Sequence, residues 1–178
     1  MHGFHAVIPA GHSGQNDRAR FGRLRLQNSY GPVTVGQVVP LETQYWNGTS
    51  FVRNTDDSCT TLNREHVALS SYTLSLNACE TAATPASVSF SGGQASLPIA
   101  AAGTGNAGSV LLTPILGSTG GQQYCPAKGG AEAAVTSASR AYLQARWTGA
   151  SWNEDPAARA TFGLYGQARN FIFYRENY

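Results

Sequence analysis

The chain has 178 residues and a mass of 18.8 kDa, room for one domain with a sizeable core but not for two. Only 12% of its residues are charged, about half the usual share, while 42% are hydrophobic, and 20 glycines and 31 serines and threonines fill the difference. That balance excludes disorder, which needs low hydrophobicity with high net charge, and a long helical bundle, which needs many Glu and Lys; a net charge of +2 is too small to imply a nucleic-acid or membrane partner.

Residues 1–17 show no periodicity and hold His2, His5 and His12. They read as a linker or N-terminal arm, with residues 18–178 as a single β-sandwich domain. The opening Met1-His2-Gly3-Phe4-His5 lacks the basic-then-apolar pattern of a secretory leader and reads as the interior of a longer polypeptide. No apolar run reaches the about eighteen residues a membrane span needs. Lys128 is the only lysine, and Arg18, Arg20, Arg23 and Arg25 fall close together. They read as outward side chains of one exposed strand. The alternative is a basic patch gripping an anionic surface, with Arg23 and Arg25 as ligand contacts.

From Phe21 the alternation is clean: Leu24 and Leu26 point one way, Arg23 and Arg25 the other. A turn at Tyr30-Gly31-Pro32 precedes strand-like Val33-Thr34-Val35 and Val38-Val39. Leu41 to Val52 predicts a hairpin, because two strand-like runs flank Asn47-Gly48, the preferred type I′ turn. Asn47-Gly48-Thr49 is formally a glycosylation sequon, but the turn explains Gly48 and the sequon does not. Val67 to Leu76 reads as a strand, and Gly92-Gly93 as a second hairpin turn between Ser87–Phe90 and Ala95–Ile99. Val110-Leu111-Leu112 follows, then a Gly-rich loop over 117–130. Ala131 to Leu143 fits either a helix or a strand. Thr161–Tyr165 and Phe171–Tyr174 close the chain as strands. The expected fold is therefore all-β, an antiparallel β-sandwich of about ten short strands with at most one short helix.

Cys59, Cys79 and Cys125 fit no zinc pattern. Pairing of Cys59 with Cys79 is favoured; it closes a loop of about 20 residues and contributes roughly 3 kcal/mol. Cys125 is then left over, and Cys79–Cys125 stays open as the other pairing.

No nucleophile elbow, zinc-protease helix or phosphate loop is present. A Ser-His-Asp triad would need His66 with Asp56, Asp57 or Asp155; His66 reads instead as the polar residue that opens a strand. Asn54-Thr55-Asp56-Asp57-Ser58 reads as a loop capped by its own carboxylates, with Ca²⁺ binding as the alternative. Asn153-Glu154-Asp155-Pro156 reads as a turn that opens a helical turn through Ala157-Ala158. Trp46, Trp147 and Trp152, with Tyr45, are candidates for a sugar-stacking platform. The expected protein is not an enzyme.

Three segments, in order, carry a family resemblance: Arg20 to Gly31; Tyr45-Trp46-Asn47-Gly48 through Phe51-Val52 to Asn54–Cys59; and Asp155 to Gly163, then Ile172 and Arg175-Glu176-Asn177-Tyr178. They resemble the C-terminal domain, of unknown function, of MshQ-like proteins, encoded with the mannose-sensitive haemagglutinin (MSHA) type IV pilus. The resemblance implies an extracellular or cell-surface bacterial protein, exported through the periplasm and tied to pilus assembly or adhesion. Its partners would be pilus subunits or other domains of a larger parent, and surface glycans in the alternative of a carbohydrate-binding module. A third alternative is a structural C-terminal domain that packs on its parent, with Phe171–Tyr174 adding to a sheet edge. No catalytic residue carries over and no cofactor is expected. Relatives often carry an Asp-rich, calcium-like stretch before the Asp-Pro motif; here most acidic positions between Arg146 and Asp155 are replaced, which implies either that a calcium site is lost or that only a remnant is kept at Asn153, Glu154 and Asp155.

Overall fold

The structure, a computed structural model, describes residues 21–163. Among these it contains twelve short strands and two single 3-10 turns, so the all-β expectation holds. In chain order the strands are β1 (Gly22–Leu26), β2 (Ser29–Gly31), β3 (Gln37–Trp46), β4 (Phe51–Arg53), β5 (Thr61–Asn63), β6 (Val67–Ser70), β7 (Ser87–Ser89), β8 (Gln94–Ile99), β9 (Gly108–Pro114), β10 (Gln123–Tyr124), β11 (Ala133–Ala134) and β12 (Ala158–Phe162). The 3-10 turns are Arg64–His66, directly before β6, and Ala141–Leu143. The expected strand at Phe171–Tyr174, the arm at 1–17, and Arg18 and Arg20 lie outside the described residues.

Two four-stranded sheets form the body. In the first, β1 lines one edge of β3, while β4 and β8 share the other edge. The second has the order β2-β12-β9-β6. Two small pairs, β5–β7 and β10–β11, complete the pattern. All pairings are antiparallel except β12 with β2, which is parallel. The period of two along each strand explains the sandwich. Leu24, Leu26, Val39, Leu41, Leu97 and Ile99 leave the first sheet on one face. They pack in one core with Val67, Leu69, Val110, Leu112, Ala160 and Phe162 of the second. Burial of each of these Leu, Val, Ile and Phe side chains stabilises the fold by roughly 1.5–3 kcal/mol before entropy is charged against it.

Several local expectations shift. Val33–Val35 forms a turn, and Tyr30-Gly31 belongs to β2. The β3–β4 connection is a four-residue loop rather than a two-residue turn at Asn47-Gly48, because Trp46 pairs with Phe51. The Asn47 side chain holds it by accepting the amides of Thr49 and Ser50, each at 2.9 Å. The strand expected to run to Leu76 stops at Ser70, where Ser71 and Leu74 take positive φ. Ala131–Leu143 splits into β11 and a 3-10 turn. No helical turn follows Asp155-Pro156, since Ala158 already begins β12. Gly92-Gly93 does make a two-residue turn with both φ positive, closed by Ser91 and Gln94. Its strands then part, β7 to β5 and β8 to β3.

The disulfide differs from the favoured pairing. Cys79 and Cys125 are joined, and Cys59 is free and exposed. The reason is local. Cys59 is turned toward Asp57, whose Oδ1 accepts from its amide at 3.3 Å and its thiol at 3.7 Å. Cys79 and Cys125 are buried together beside Ala82. The bond ties the 71–83 connection to the Gly-rich loop, which also donates the Gly129 amide to the Cys79 carbonyl. At a sequence separation of 46, chain entropy assigns it about 4 kcal/mol.

Asp57 closes the first sheet where that sheet changes partners. Between β4 and β8, Thr43 of β3 donates its amide to the Gly93 carbonyl and accepts the Asn54 amide on its own carbonyl. Asp57 fills the gap. Its Oδ2 accepts from the Thr43 hydroxyl at 2.8 Å, its Oδ1 from the Thr60 amide at 3.0 Å, and its carbonyl from the Gly93 amide at 2.7 Å. Gly93 must be glycine, since a Cβ there would lie 2.3 Å from the Asn54 carbonyl oxygen. The carboxylate-capped loop expected of Asn54–Ser58 is thus what forms. Burial opposes ionisation of Asp57, yet the hydrogen bonds from Thr43, Thr60 and Cys59 outweigh it and hold its carboxyl below the usual range.

Two outcomes follow. Alkylation of the unreduced protein and peptide mapping will give a linked Cys79–Cys125 peptide with Cys59 modified alone, and reduction will lower the melting temperature; a Cys59–Cys79 peptide would refute the pairing. Asp57→Asn will destabilise at pH 7 by roughly 2–4 kcal/mol, because charge-assisted bonds weaken and a buried acceptor is lost. A depressed folded pKa stabilises above the unfolded value of 3.8, and the effect is lost as pH falls through the folded value. Thermal melts at stepwise lower pH will therefore show wild type and variant converging in acid; a constant gap would contradict this role.

Candidate functional site

The outer face of the first sheet is built in rows, because antiparallel register places alternate residues of neighbouring strands side by side. In the first row Trp46 lies opposite Phe51, and its amide donates to the Phe21 carbonyl at 2.8 Å. The second row reads Arg23, Gln44, Arg53 across β1, β3 and β4. The third reads Arg25, Glu42, Gln94 across β1, β3 and β8. Successive rows are about 7 Å apart, two residues along a strand.

The first row is aromatic and open. Trp46 packs edge-on against Phe51, with ring centres 5.3 Å apart, and Phe21 lies 5.8 Å from Phe51. Trp152, from the loop that follows Ala145, meets Phe21 edge-on at 5.3 Å. Phe21, Trp46 and Trp152 remain 43%, 44% and 54% exposed, so this cluster is no part of the core. Arg23 binds the two halves. Its guanidinium carbon sits 3.8 Å from the Phe51 ring centre and 4.8 Å from that of Trp147. Cation–π contacts of this kind stabilise by about 0.5–2 kcal/mol, depending on desolvation. The Arg23 Nε donates to Gln44 Oε1 at 2.7 Å, and Gln44 Nε2 donates to Glu42 Oε1 at 2.5 Å. Burial and the like charge of Arg25 lower the Arg23 pKa, and Glu42 opposes them. The Trp147 Nε1 is buried with no hydrogen-bond partner among the described residues.

The loop carrying Trp147 and Trp152 is held by Glu154. Ala145 and Glu154 exchange backbone hydrogen bonds, both 3.1 Å, which closes the loop at its base. The Glu154 carboxylate turns inward and accepts the amides of Thr148, Ala150 and Ser151 and the Thr148 hydroxyl. The Thr148 and Ser151 amides are the main reason that its pKa falls to about 2. Asp155 serves elsewhere, accepting the Leu116 amide at 3.0 Å and the Gln144 side-chain amide at 2.8 Å on its Oδ1.

Of the residues expected to bind a ligand, the structure brings Trp46, Trp147, Trp152 and Arg23 into one cluster, with Arg25 in the third row. It does not assemble a calcium site from Asn153, Glu154 and Asp155. Calcium wants six to eight oxygens. The Glu154 oxygens are engaged by N–H and O–H donors, Asp155 faces Leu116 and Gln144, and no group of three or more His, Cys, Asp or Glu side chains gathers among the described residues. His66 precedes β6 as expected, its Nδ1 3.0 Å from the Thr136 hydroxyl. Phe21, Phe51, Gln44, Glu42 and Arg53 join the face without having been singled out. Phe21 shares the parity of Arg23, and the hairpin register puts Phe51 opposite Trp46, so the signal lay in the alternation. Beside the third row a shallow hollow of about 250 Å³ is lined by Gln27, Pro40, Glu42, Gln94 and Ser96.

One family model, for DUF6701, fourth domain, matches residues 20–177. No curated protein matches the chain, and no solved structure does.

The loop geometry predicts that Glu154 titrates at about 2, well below its ordinary 4.5. A carboxyl NMR titration will show this, and a midpoint near 4.5 would remove the four-donor role. The sign is that of a depressed acid: the loop is held fully above the ordinary value and released as pH falls through the folded one. Glu154→Ala at pH 7 will release the loop and change the fluorescence of Trp152.

Proposed function

The chain belongs to the family of DUF6701 fourth domains, and on that footing we propose that it is a non-enzymatic binding domain of a bacterial surface protein, which meets its partner through the aromatic face around Arg23. One observation carries this reading. Side chains from three separate stretches, β1, the β3–β4 hairpin and the 147–152 loop, converge on an exposed face whose aromatic rings contribute nothing to the core. Exposed aromatic groups with arginine among them are the side chains that dominate binding energy at interfaces. Three carboxylates of the two acidic clusters are engaged in structure: Asp57 in the sheet, Glu154 and Asp155 in their loops.

The resemblance to MshQ-like proteins gives the setting. The domain acts at the cell surface, after export through the periplasm, in assembly of the MSHA type IV pilus or in adhesion. Its partners are pilus subunits or other domains of its parent. The Cys79–Cys125 disulfide is compatible with that oxidising route, and no helix among the described residues is long and apolar enough to cross a membrane. A carbohydrate-binding role is the second reading. It is favoured by Trp46 and Trp152, which are each about half exposed and are not covered by Arg23.

Capture by purified pilus subunits and by intact bacterial or host cells tests the reading. We expect binding that falls about tenfold or more when Trp46→Ala and Trp152→Ala are combined, since anchor residues contribute upward of 1 kcal/mol each. Near-UV circular dichroism and melting should stay close to wild type, because neither side chain is in the core. Capture by none of these surfaces, or capture untouched by the double substitution, would overturn it.

A further inference from the structure

Resting on the second reading of this face, as a carbohydrate-binding surface, we propose that its ligand is an acidic polysaccharide of the uronic acid type, laid along β3 from Trp46 toward the hollow at Ser96. The order of the rows motivates this. An aromatic row is followed by a row with two arginines flanking an amide. Then comes a row with arginine, glutamate and amide, and last the polar hollow lined by Gln27, Gln94 and Ser96. Each row matches one chemical feature of such a chain. Pyranose rings present flat C–H faces to the open rings of Trp46 and Trp152. Carboxylates suit Arg25 and Arg53, which are both exposed. Hydroxyl groups donate to Glu42 and both donate to and accept from Gln94 and Ser96.

Charge decides against the nearest competitors. Among the described residues the second and third rows hold three arginines, Arg23, Arg25 and Arg53, and one carboxylate, Glu42, a net charge of +2. Neither Arg25 nor Arg53 holds an ion pair with a described residue. A neutral glycan would leave those cations unmatched. A single nucleic-acid strand also combines stacking with negative charge, but its phosphates bring only acceptors to the middle of the face, where they meet Glu42 as like charge. A uronate chain supplies anions for the arginines and hydroxyl donors for Glu42 together.

The test titrates the whole 178-residue chain with oligogalacturonate, with its fully methyl-esterified form and with a single-stranded oligonucleotide, following tryptophan fluorescence and calorimetric heat. The ester keeps the stacking faces and hydroxyls and removes only the charge. We expect oligogalacturonate to bind about tenfold or more tighter than the ester, the gap closing as salt rises. Arg25→Gln with Arg53→Gln should abolish that preference, while Arg64→Gln, outside the three rows, should leave it. Equal binding of acid and ester, tighter binding of the oligonucleotide, or a preference unmoved by the double arginine variant would overturn the proposal. So would an absence of any uronate binding. If pilus subunits or cells are then still captured in a manner dependent on Trp46 and Trp152, the uronate proposal falls and the binding face stands. If nothing is captured, both fall.

Discussion

The carboxylate of Asp57 sits where one long strand changes partners, and the outer face depends on that junction. β3 has ten residues, long enough to hold β4 and β8 end to end along one edge. Such a junction exposes backbone groups of Thr43 and its neighbours that neither partner strand would satisfy by itself, and buried unpaired groups are costly. Asp57 and the turns at Asn54 and Gly93 satisfy them. In doing so they fix β4 against β3, which places Phe51 opposite Trp46 and Arg53 beside Gln44. Without that closure the aromatic row and the arginine row would lose their register.

The second determinant is a loop far away in sequence. Trp147 and Trp152 reach the face only because Glu154 gathers the intervening amides and the Ala145–Glu154 pair closes the base. Arg23 then links this loop to the hairpin through two rings, Phe51 and Trp147. The same few carboxylates that give the chain its low charge thus act as internal fasteners. Asp57 joins strands, Glu154 shapes a loop, and Asp155 ties that loop's end to Leu116 and Gln144. Each is fixed by donors from backbone or neutral side chains, which is why so small a number of charges suffices.

Parts of this were plain in the alternation. The parity of Leu24 and Leu26 against Arg23 and Arg25 separated core from surface, and the same rule held along β3, β8 and β9. The turn at Gly92-Gly93 and the hairpin around Asn47 were readable from glycine and asparagine chemistry. Boundaries were not: the stretch after Ser70 keeps an apolar spacing to Leu76, yet Ser71 and Leu74 take positive φ, which breaks the strand although the Thr73 and Ser75 amides still donate to the Ser109 and Ala107 carbonyls. The disulfide was not readable either. Cys59 is closer than Cys125 to Cys79 in sequence, but pairing depends on burial and approach in space, and the Asp57 turn keeps Cys59 exposed while Cys79 and Cys125 are buried together.

By itself the sequence determined the all-β character, the side of each strand that faces the core, and the residue types available for binding: tryptophans and arginines with few carboxylates. Those properties follow from local periodicity and composition. Only the tertiary structure decided which strands share a sheet, which cysteines meet, and that Trp46, Trp147, Trp152 and Arg23 stand on one face. They come from three stretches spread over more than a hundred residues. Their meeting is set by cross-strand register and by the carboxylates that close the loops, and these interactions have no signature in the local order of residues.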